Sequence, residues 1–132
     1  MLKTLILKQK SMPIQNKIYD IEKRTYKFAI DVIKLVEKFP KTTVAFILGK
    51  QLIRSGTSIN SNIIHAKSSL TKREFTYYLN IAKKEAKETK SWLSMTMDSE
   101  LIKFERINPL LEENEEIIKI LVKSVKRAQN LK

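Results

Sequence analysis

The sequence offers few side chains that could perform acid–base, nucleophilic or metal chemistry. His65 is the only histidine in 132 residues, and there is no cysteine. A single histidine near a helix end is more often a packing or surface residue than a general base, which needs a partner to orient it. Metal-binding bundles use Glu-x-x-His pairs on facing helices, and none is present; the acids Glu112, Glu113, Glu115 and Glu116 cluster on a solvated helical turn. We therefore expect no enzyme activity, no metal and no cofactor.

The charge of the chain is strongly positive. There are 26 Lys and Arg against 14 Asp and Glu, a formal net charge of +12. The segment from Lys38 to Arg73 contains seven Lys and Arg and no acid. Such an excess favours anionic partners such as nucleic acid. The alternative is that lysine serves only as a solvated surface residue, and the composition leaves both open.

Ten cations are candidates for nucleic-acid binding. They lie at a predicted turn, along the outward side of the third helix and near the end of the fourth: Lys67, Lys72, Arg73, Lys83, Lys87, Lys90, Lys119, Lys123, Lys126 and Arg127. Contacts of this kind are made to phosphate and carry no sequence preference. No zinc-finger, RRM or helix-turn-helix pattern accompanies them. The charge order of the fourth helix, with acids first, is also what the helix dipole favours.

A polar network is predicted between the second and third helices. If these helices fold back around residue 70, Arg54 faces Glu85 and Glu88, and Gln51 faces Thr89. Buried charges need partners, so an ion pair from Arg54 to one of these acids is expected. The competing interpretation leaves Arg54 free to bind phosphate.

Four amphipathic helices position these side chains. The first begins near Ile18, carries a core stripe from Ile18 to Phe39, and ends at Phe39-Pro40. A second apolar stripe follows the same helix and indicates either a wide core face or an oligomer interface: Tyr26, Ile30 and Ile33. Residues 1–17 lack the helical period and are expected to form a flexible or subunit-contacting arm.

The second helix is expected to begin at Thr42 or Thr43 and to reach about Ser69. Its predicted core positions are Phe46, Ile47, Ile53, Ile59, Ile63 and Ala66. Gly49 and Gly56 share one face and permit a close approach between helices.

The third helix opens with the capping box Thr71-Lys72-Arg73-Glu74, and the fourth with Asn108-Pro109, running to about Asn130. The prediction is an all-α, up-down-up-down four-helix bundle spanning 18–132. No apolar run is long enough to span a membrane and no signal cleavage site follows the first residues, so a soluble cytoplasmic protein without a membrane partner is expected.

Several segments at consistent spacing resemble one known family. They are Tyr19–Phe28, Phe39–Thr42, Gln51–Ile59, Asn62, Lys84–Thr89 and Trp92–Leu93. Over roughly residues 18–97 the sequence resembles the four helix bundle protein family, also called the 23S rRNA intervening-sequence protein family. One position departs from it, since His65 stands where the family usually has an acid.

The resemblance implies a left-handed bundle that assembles into a homopentameric barrel. It also implies a relation to the accessory variability proteins of diversity-generating retroelements, which bind nucleic acid and a reverse transcriptase through a basic surface. The family has no established enzymatic activity. The sequence thus predicts a non-catalytic, oligomeric, basic bundle that binds RNA or DNA, with a reverse transcriptase as a candidate partner. The alternative is a protein-interaction scaffold without a nucleic-acid role.

Overall fold

The computed structural model describes the backbone of residues 12–130 and the side chains of residues 20–130. It contains four helices: α1 Met12–Glu37, α2 Thr43–Lys67, α3 Lys72–Asp98 and α4 Phe104–Gln129. Each helix packs against the next, and α1 also contacts α4. Within the described backbone there is no strand. The predicted all-α four-helix bundle is confirmed.

Two helices begin earlier than the sequence pattern predicts. α1 starts at Met12 rather than Ile18, so the backbone of residues 12–17 is helical; residues 1–11 lie outside the described residues. Pro13 is compatible with this start because the first turn needs no backbone N–H donor. α4 starts at Phe104, five residues before Pro109, and Ile107 in its first turn is fully buried. Burial of that side chain explains why the helix extends beyond the predicted Asn108-Pro109 start.

The core face of α1 is as its periodicity predicts. Its buried positions recur at helical spacing: Ile21, Thr25, Phe28, Val32, Leu35 and, just after the helix, Phe39. Large apolar side chains mark this face, which made it readable from the sequence.

The core face of α2 was predicted wrongly in its first half. Phe46 is 72% exposed, Ile47 is 55% exposed and Ile53 is half-buried. The buried face instead runs through Ala45, Gly49, Leu52, Ser55, Gly56, Ile59, Asn60, Ile63 and Ala66. Most of these residues are small or polar, so a search for large apolar side chains selects a neighbouring face.

The two glycines of α2 allow α1 to approach closely. A Cβ atom on Gly56 would lie 3.1 Å from both Cγ atoms of Val32, which is fully buried. A Cβ on Gly49 would lie 2.7 Å from Cγ1 of Val36. The predicted role of these glycines in close packing is confirmed, and it offsets their low helix propensity.

Buried hydrogen bonds link each consecutive pair of helices. Asn60 Nδ2 on α2 donates to the Glu22 carbonyl oxygen (3.0 Å) and to Thr25 Oγ1 (3.1 Å) on α1. Thr89 Oγ1 on α3 lies 2.9 Å from Ser55 Oγ on α2. These bonds are satisfied only in one alignment of the helices, and so they fix the register.

The third such bond joins α3 and α4. Asn114 is fully buried and its Nδ2 donates to the Ala86 carbonyl oxygen at 3.1 Å, while its Oδ1 has no protein partner. Only one of the two polar atoms of this buried side chain therefore has a partner.

Candidate nucleic-acid interface

The connection between α2 and α3 brings three cations to one end of the bundle. α2 ends at Lys67, and Thr71 caps α3 by accepting a 3.0 Å hydrogen bond from the Glu74 backbone N–H. This short turn places Lys67, Lys72 and Arg73 beside one another in the chain. Lys67 forms an ion pair with Glu22 of α1. Lys72 and Arg73 have no ion pair within the part of the chain that the structure describes.

Lys83, Lys87 and Lys90 occupy one side of α3. They recur at helical spacing, and the side they share lies toward α4. Lys90 Nζ lies 3.0 Å from Glu115 Oε1 on α4, so its charge is largely compensated. Lys83 is half-buried and Lys87 is exposed, and neither has an ion pair among residues 20–130.

The last turns of α4 return to the same end as the α2–α3 turn. Lys123, Lys126 and Arg127 are exposed there and have no ion pair with any described side chain. Lys119 lies one turn earlier and contacts Glu116 at 3.3 Å. No acid occurs between residues 117 and 132 of the sequence. The helix C-terminus favours these cations, and the antiparallel packing adds their charge to that of the α3 start.

Seven of the ten predicted cations thus have no carboxylate partner within residues 20–130. We call these seven the basic surface; it extends along α3 and α4 from the α2–α3 turn to just past the middle of α3 and consists of Lys72, Arg73, Lys83, Lys87, Lys123, Lys126 and Arg127. Charges grouped in this way raise the local positive potential more than scattered ones. Lys67, Lys90 and Lys119 are compensated by acids and contribute less.

The opposite end of the bundle has a mixed charge. A depression of ≈ 690 Å³ there is lined by Lys38, Met97, Glu100, Leu101, Ile102, Lys103, Phe104 and Arg106. Its cations are interspersed with Glu37, Asp98, Glu100 and Glu105 in the sequence. Acids close to the cations would repel phosphate, so this end is the weaker candidate for a polyanion.

Arg54 is engaged in the network predicted for it. Its Nε donates to Gln51 Oε1 at 3.0 Å and its Nη1 to Glu85 Oε1 at 3.4 Å, while Nη2 pairs with Glu88. Trp92 Nε1 also donates to Glu88 Oε2, at 3.0 Å. The network is not buried, because 46% of the Arg54 side chain is exposed. Each guanidinium nitrogen nevertheless has an acceptor within the network, which argues against its use for phosphate.

The ion pair between the first and last helices was not predicted from the sequence. Arg24 on α1 makes two 2.8 Å hydrogen bonds with Glu113 on α4. The hydrogen bond to Glu113 raises the pKa of Arg24 above its usual value, against a smaller opposing effect of burial. The pair joins the first helix to the last, the contact that closes the bundle. No local spacing in the sequence links two positions so far apart.

Three of the four clustered acids and the histidine are likewise used in contacts. Glu113, Glu115 and Glu116 pair with Arg24, Lys90 and Lys119. The imidazole of His65 stacks on the ring of Tyr78, with a centroid distance of 5.0 Å and an interplanar angle of 28°. Among the described residues, no group of three or more His, Cys, Asp and Glu side chains is placed to hold a metal ion. Nor does any described helix have the apolar length that crossing a bilayer would require.

The geometry agrees with the family suggested by the sequence segments. The family model described as 23S rRNA-intervening sequence protein matches residues 17–123 of this chain. The chain belongs to that family. A crystal structure of a protein of unknown function from the S23 ribosomal protein family of Bacteroides thetaiotaomicron is similar, with 33% sequence identity and a TM-score of 0.78. The similarity covers 83% of this chain and 98% of that protein. No functionally curated protein matches the chain.

The family includes all four helices. The matched residues begin in the first turns of α1 and end in the last turns of α4, so the match includes both residues of the Arg24–Glu113 pair as well as the Arg54 network. The name associates the family with ribosomal RNA and names no reaction.

Proposed function

We propose that this member of the family is a non-catalytic protein that binds RNA or DNA through phosphate contacts. The observation that carries the proposal is the basic surface, where seven cations lacking carboxylate partners among the described residues lie on two adjacent helices. The family's association with ribosomal RNA favours RNA over DNA. Binding of this kind positions a polynucleotide without reading its sequence.

The proposal predicts a steep dependence of affinity on salt. Each phosphate neutralised by Lys or Arg releases counterions, and the slope of log K against log salt is about −0.7 per contact for single strands and about −0.9 for duplexes. If five of the seven cations engage, a slope of roughly −3.5 to −4.5 is expected. Fluorescence polarisation with a labelled RNA across a salt series measures it. Weak binding with a flat salt response would contradict the proposal.

The proposal includes self-association through one apolar face on α1 and α2. Tyr26 is 61% exposed, and Ile30 and Ile33 on the same helix are half-buried. The contacts of Val32 with Gly56 and of Val36 with Gly49 set the register of the two helices, and this register brings Ile33 level with Ile53. Phe46 continues the face on α2. An apolar strip along two adjacent helices is suited to a partner surface of the same kind; by the family resemblance, five copies form a barrel.

Self-association is expected to depend on this face. The double variant Ile33→Gln, Phe46→Gln should lower the mass measured by light scattering while leaving the helical circular-dichroism signal unchanged, because both side chains are at least partly exposed. Val44→Gln is the matched control, since Val44 is 60% exposed on the α3 side of α2. A wild-type protein that is monomeric at micromolar concentration would contradict this part of the proposal.

The alternative function is a protein-interaction scaffold. It is favoured by the ion pairs of Lys67, Lys90 and Lys119, which remove three cations from the predicted set, and by the exposure of Phe46 and Ile47. The family resemblance supplies one candidate partner for either function, a reverse transcriptase.

A further inference from the structure

An aromatic cluster lies beside the basic surface, on the other side of α3. Tyr78 stacks against His65 from α2, and Tyr77 packs against Tyr78 edge-on, with ring centroids 5.2 Å apart and an interplanar angle of 76°. Tyr77 is 59% exposed and His65 is also exposed. Tyr78 is half-buried between them, so its ring is held in place while its neighbours face solvent.

The cations nearest to this cluster lack carboxylate partners. Arg73 lies one turn before Tyr77 on α3 and Lys84 lies two turns after it, close to the same helical line. Both are exposed, and neither forms an ion pair with another described side chain. On the side of α3 that faces α2, the carboxylates nearest in sequence to these rings are Glu74 and Glu85. Glu85 is bound to Arg54. The rings therefore lie between two positive charges roughly three helical turns apart.

We infer that Tyr77, supported by Tyr78 and His65, is a stacking site for an unpaired nucleobase whose flanking phosphates contact Arg73 and Lys84. Exposed aromatic rings beside phosphate-binding cations are how proteins hold single-stranded nucleic acid without sequence preference. A buried hydrophobic role does not account for Tyr77, whose ring is mostly in solvent. An imidazole at position 65 extends the ring surface and brings no negative charge toward phosphate. This inference rests on the proposed function and specifies the strand type that the basic surface accepts.

The test compares single strands with duplexes, using the full-length protein. The probes are a mixed-sequence single-stranded RNA, its DNA equivalent and the corresponding RNA duplex, each with one 2-aminopurine. Tyr77→Ala is expected to weaken binding to both single strands about tenfold, which is the effect of losing one base–aromatic stack. Duplex binding should change less than about twofold, because its bases are already stacked. Fluorescence of 2-aminopurine should fall on binding to wild type and stay higher with Tyr77→Ala.

Two variants serve as controls. Tyr77→Phe retains the ring and should keep wild-type affinity for single strands. Phe104→Ala removes a ring of similar exposure, 55%, at the opposite end of the bundle and should leave all affinities unchanged. Equal losses on single strands and duplexes, or a change of native mass in place of a change of affinity, would overturn the stacking site and leave the proposed function intact. If the wild-type protein binds none of the three probes, the proposed function itself fails.

Discussion

The triple variant Lys83→Glu, Lys87→Glu, Lys126→Glu is expected to bind RNA at least about a hundredfold more weakly than wild type at low salt. Each of these lysines lacks a carboxylate partner among the described residues, so reversal replaces an attraction to phosphate by a repulsion. The salt slope should become shallower by about two to three units, the contribution of three lost contacts. Polarisation titrations at several salt concentrations measure both quantities.

A matched triple variant separates position from total charge. Lys38→Glu, Lys41→Glu, Lys103→Glu lowers the formal charge of +12 by the same six units, at the opposite end of the bundle. All three of these lysines are exposed. This variant should keep most of the affinity, since its lysines are outside the basic surface and close to acids. Equal losses in the two triples would mean that binding follows net charge and that the basic surface is not a site.

The same pair of variants distinguishes the two candidate functions. A scaffold that uses its lysines only for solvation should retain its native mass and its protein partner in both triples. A nucleic-acid binder should retain its fold and mass but lose its affinity in the first triple alone. Circular dichroism and light scattering on each variant establish that the fold and the assembly are unchanged.

The sequence predicts the buried face of a helix where large apolar side chains form it. It does not predict a buried face that small residues form. α1 was readable because Phe28, Val32 and Leu35 recur at helical spacing on its buried face. α2 was not, because its contact with α1 passes through Gly49 and Gly56, which carry no hydrophobic signal. The close approach of the two backbones leaves Phe46 exposed, although apolar periodicity predicts that it is buried.

The location of the candidate site was predictable from the sequence, but the number of its cations that acids compensate was not. The positions of the cations follow from the sequence, but their compensation depends on the register between helices. Lys119 and Glu116 are three residues apart, a spacing that indicates an ion pair from sequence alone. The partner of Lys90 lies on α4 and could be identified only once the packing of α3 and α4 was known.

The Arg54 network was predictable because a single short turn separates its helices. With the turn placed near residue 70, the pairing of α2 and α3 follows by counting, and both Glu85 and Glu88 contact Arg54. The Arg24–Glu113 pair joins helices that are not consecutive, so no equivalent count exists.

Asn114→Asp is expected to destabilise the bundle by about 4 kcal/mol at neutral pH. Asn114 is fully buried, and its amide nitrogen donates to the Ala86 carbonyl oxygen at 3.1 Å. A carboxylate in its place would direct a negative oxygen at that carbonyl and find no donor. Burial without a partner raises the pKa of an acid by about three units or more, and each unit corresponds to about 1.36 kcal/mol.

The pH dependence of the free energy of unfolding identifies the buried carboxylate as the cause of this loss. Because the carboxyl has a higher pKa in the folded state than its value of about 3.9 in the unfolded chain, the folded form holds the proton more tightly. The loss of stability is therefore small below about pH 4, grows as the pH rises toward the folded-state pKa, and is constant above it. The protonated carboxyl can donate to Ala86 as the amide does. Urea denaturation of variant and wild type at matched pH values measures the difference.

Asn80→Asp provides the comparison for this change, because Asn80 lies half-buried on the outer side of α3, so that the same substitution there keeps access to water. It should keep a free energy of unfolding within about 0.5 kcal/mol of wild type at every pH.

A neutral-pH loss below about 1 kcal/mol in Asn114→Asp would show that water reaches position 114 and solvates the new charge. The unpaired Oδ1 of Asn114 would then be explained by a bound water. A loss near 4 kcal/mol that disappears in acid would instead establish a dry interior, in which one amide hydrogen bond aligns α3 with α4 and so holds Lys83 and Lys87 in line with the cations of α4.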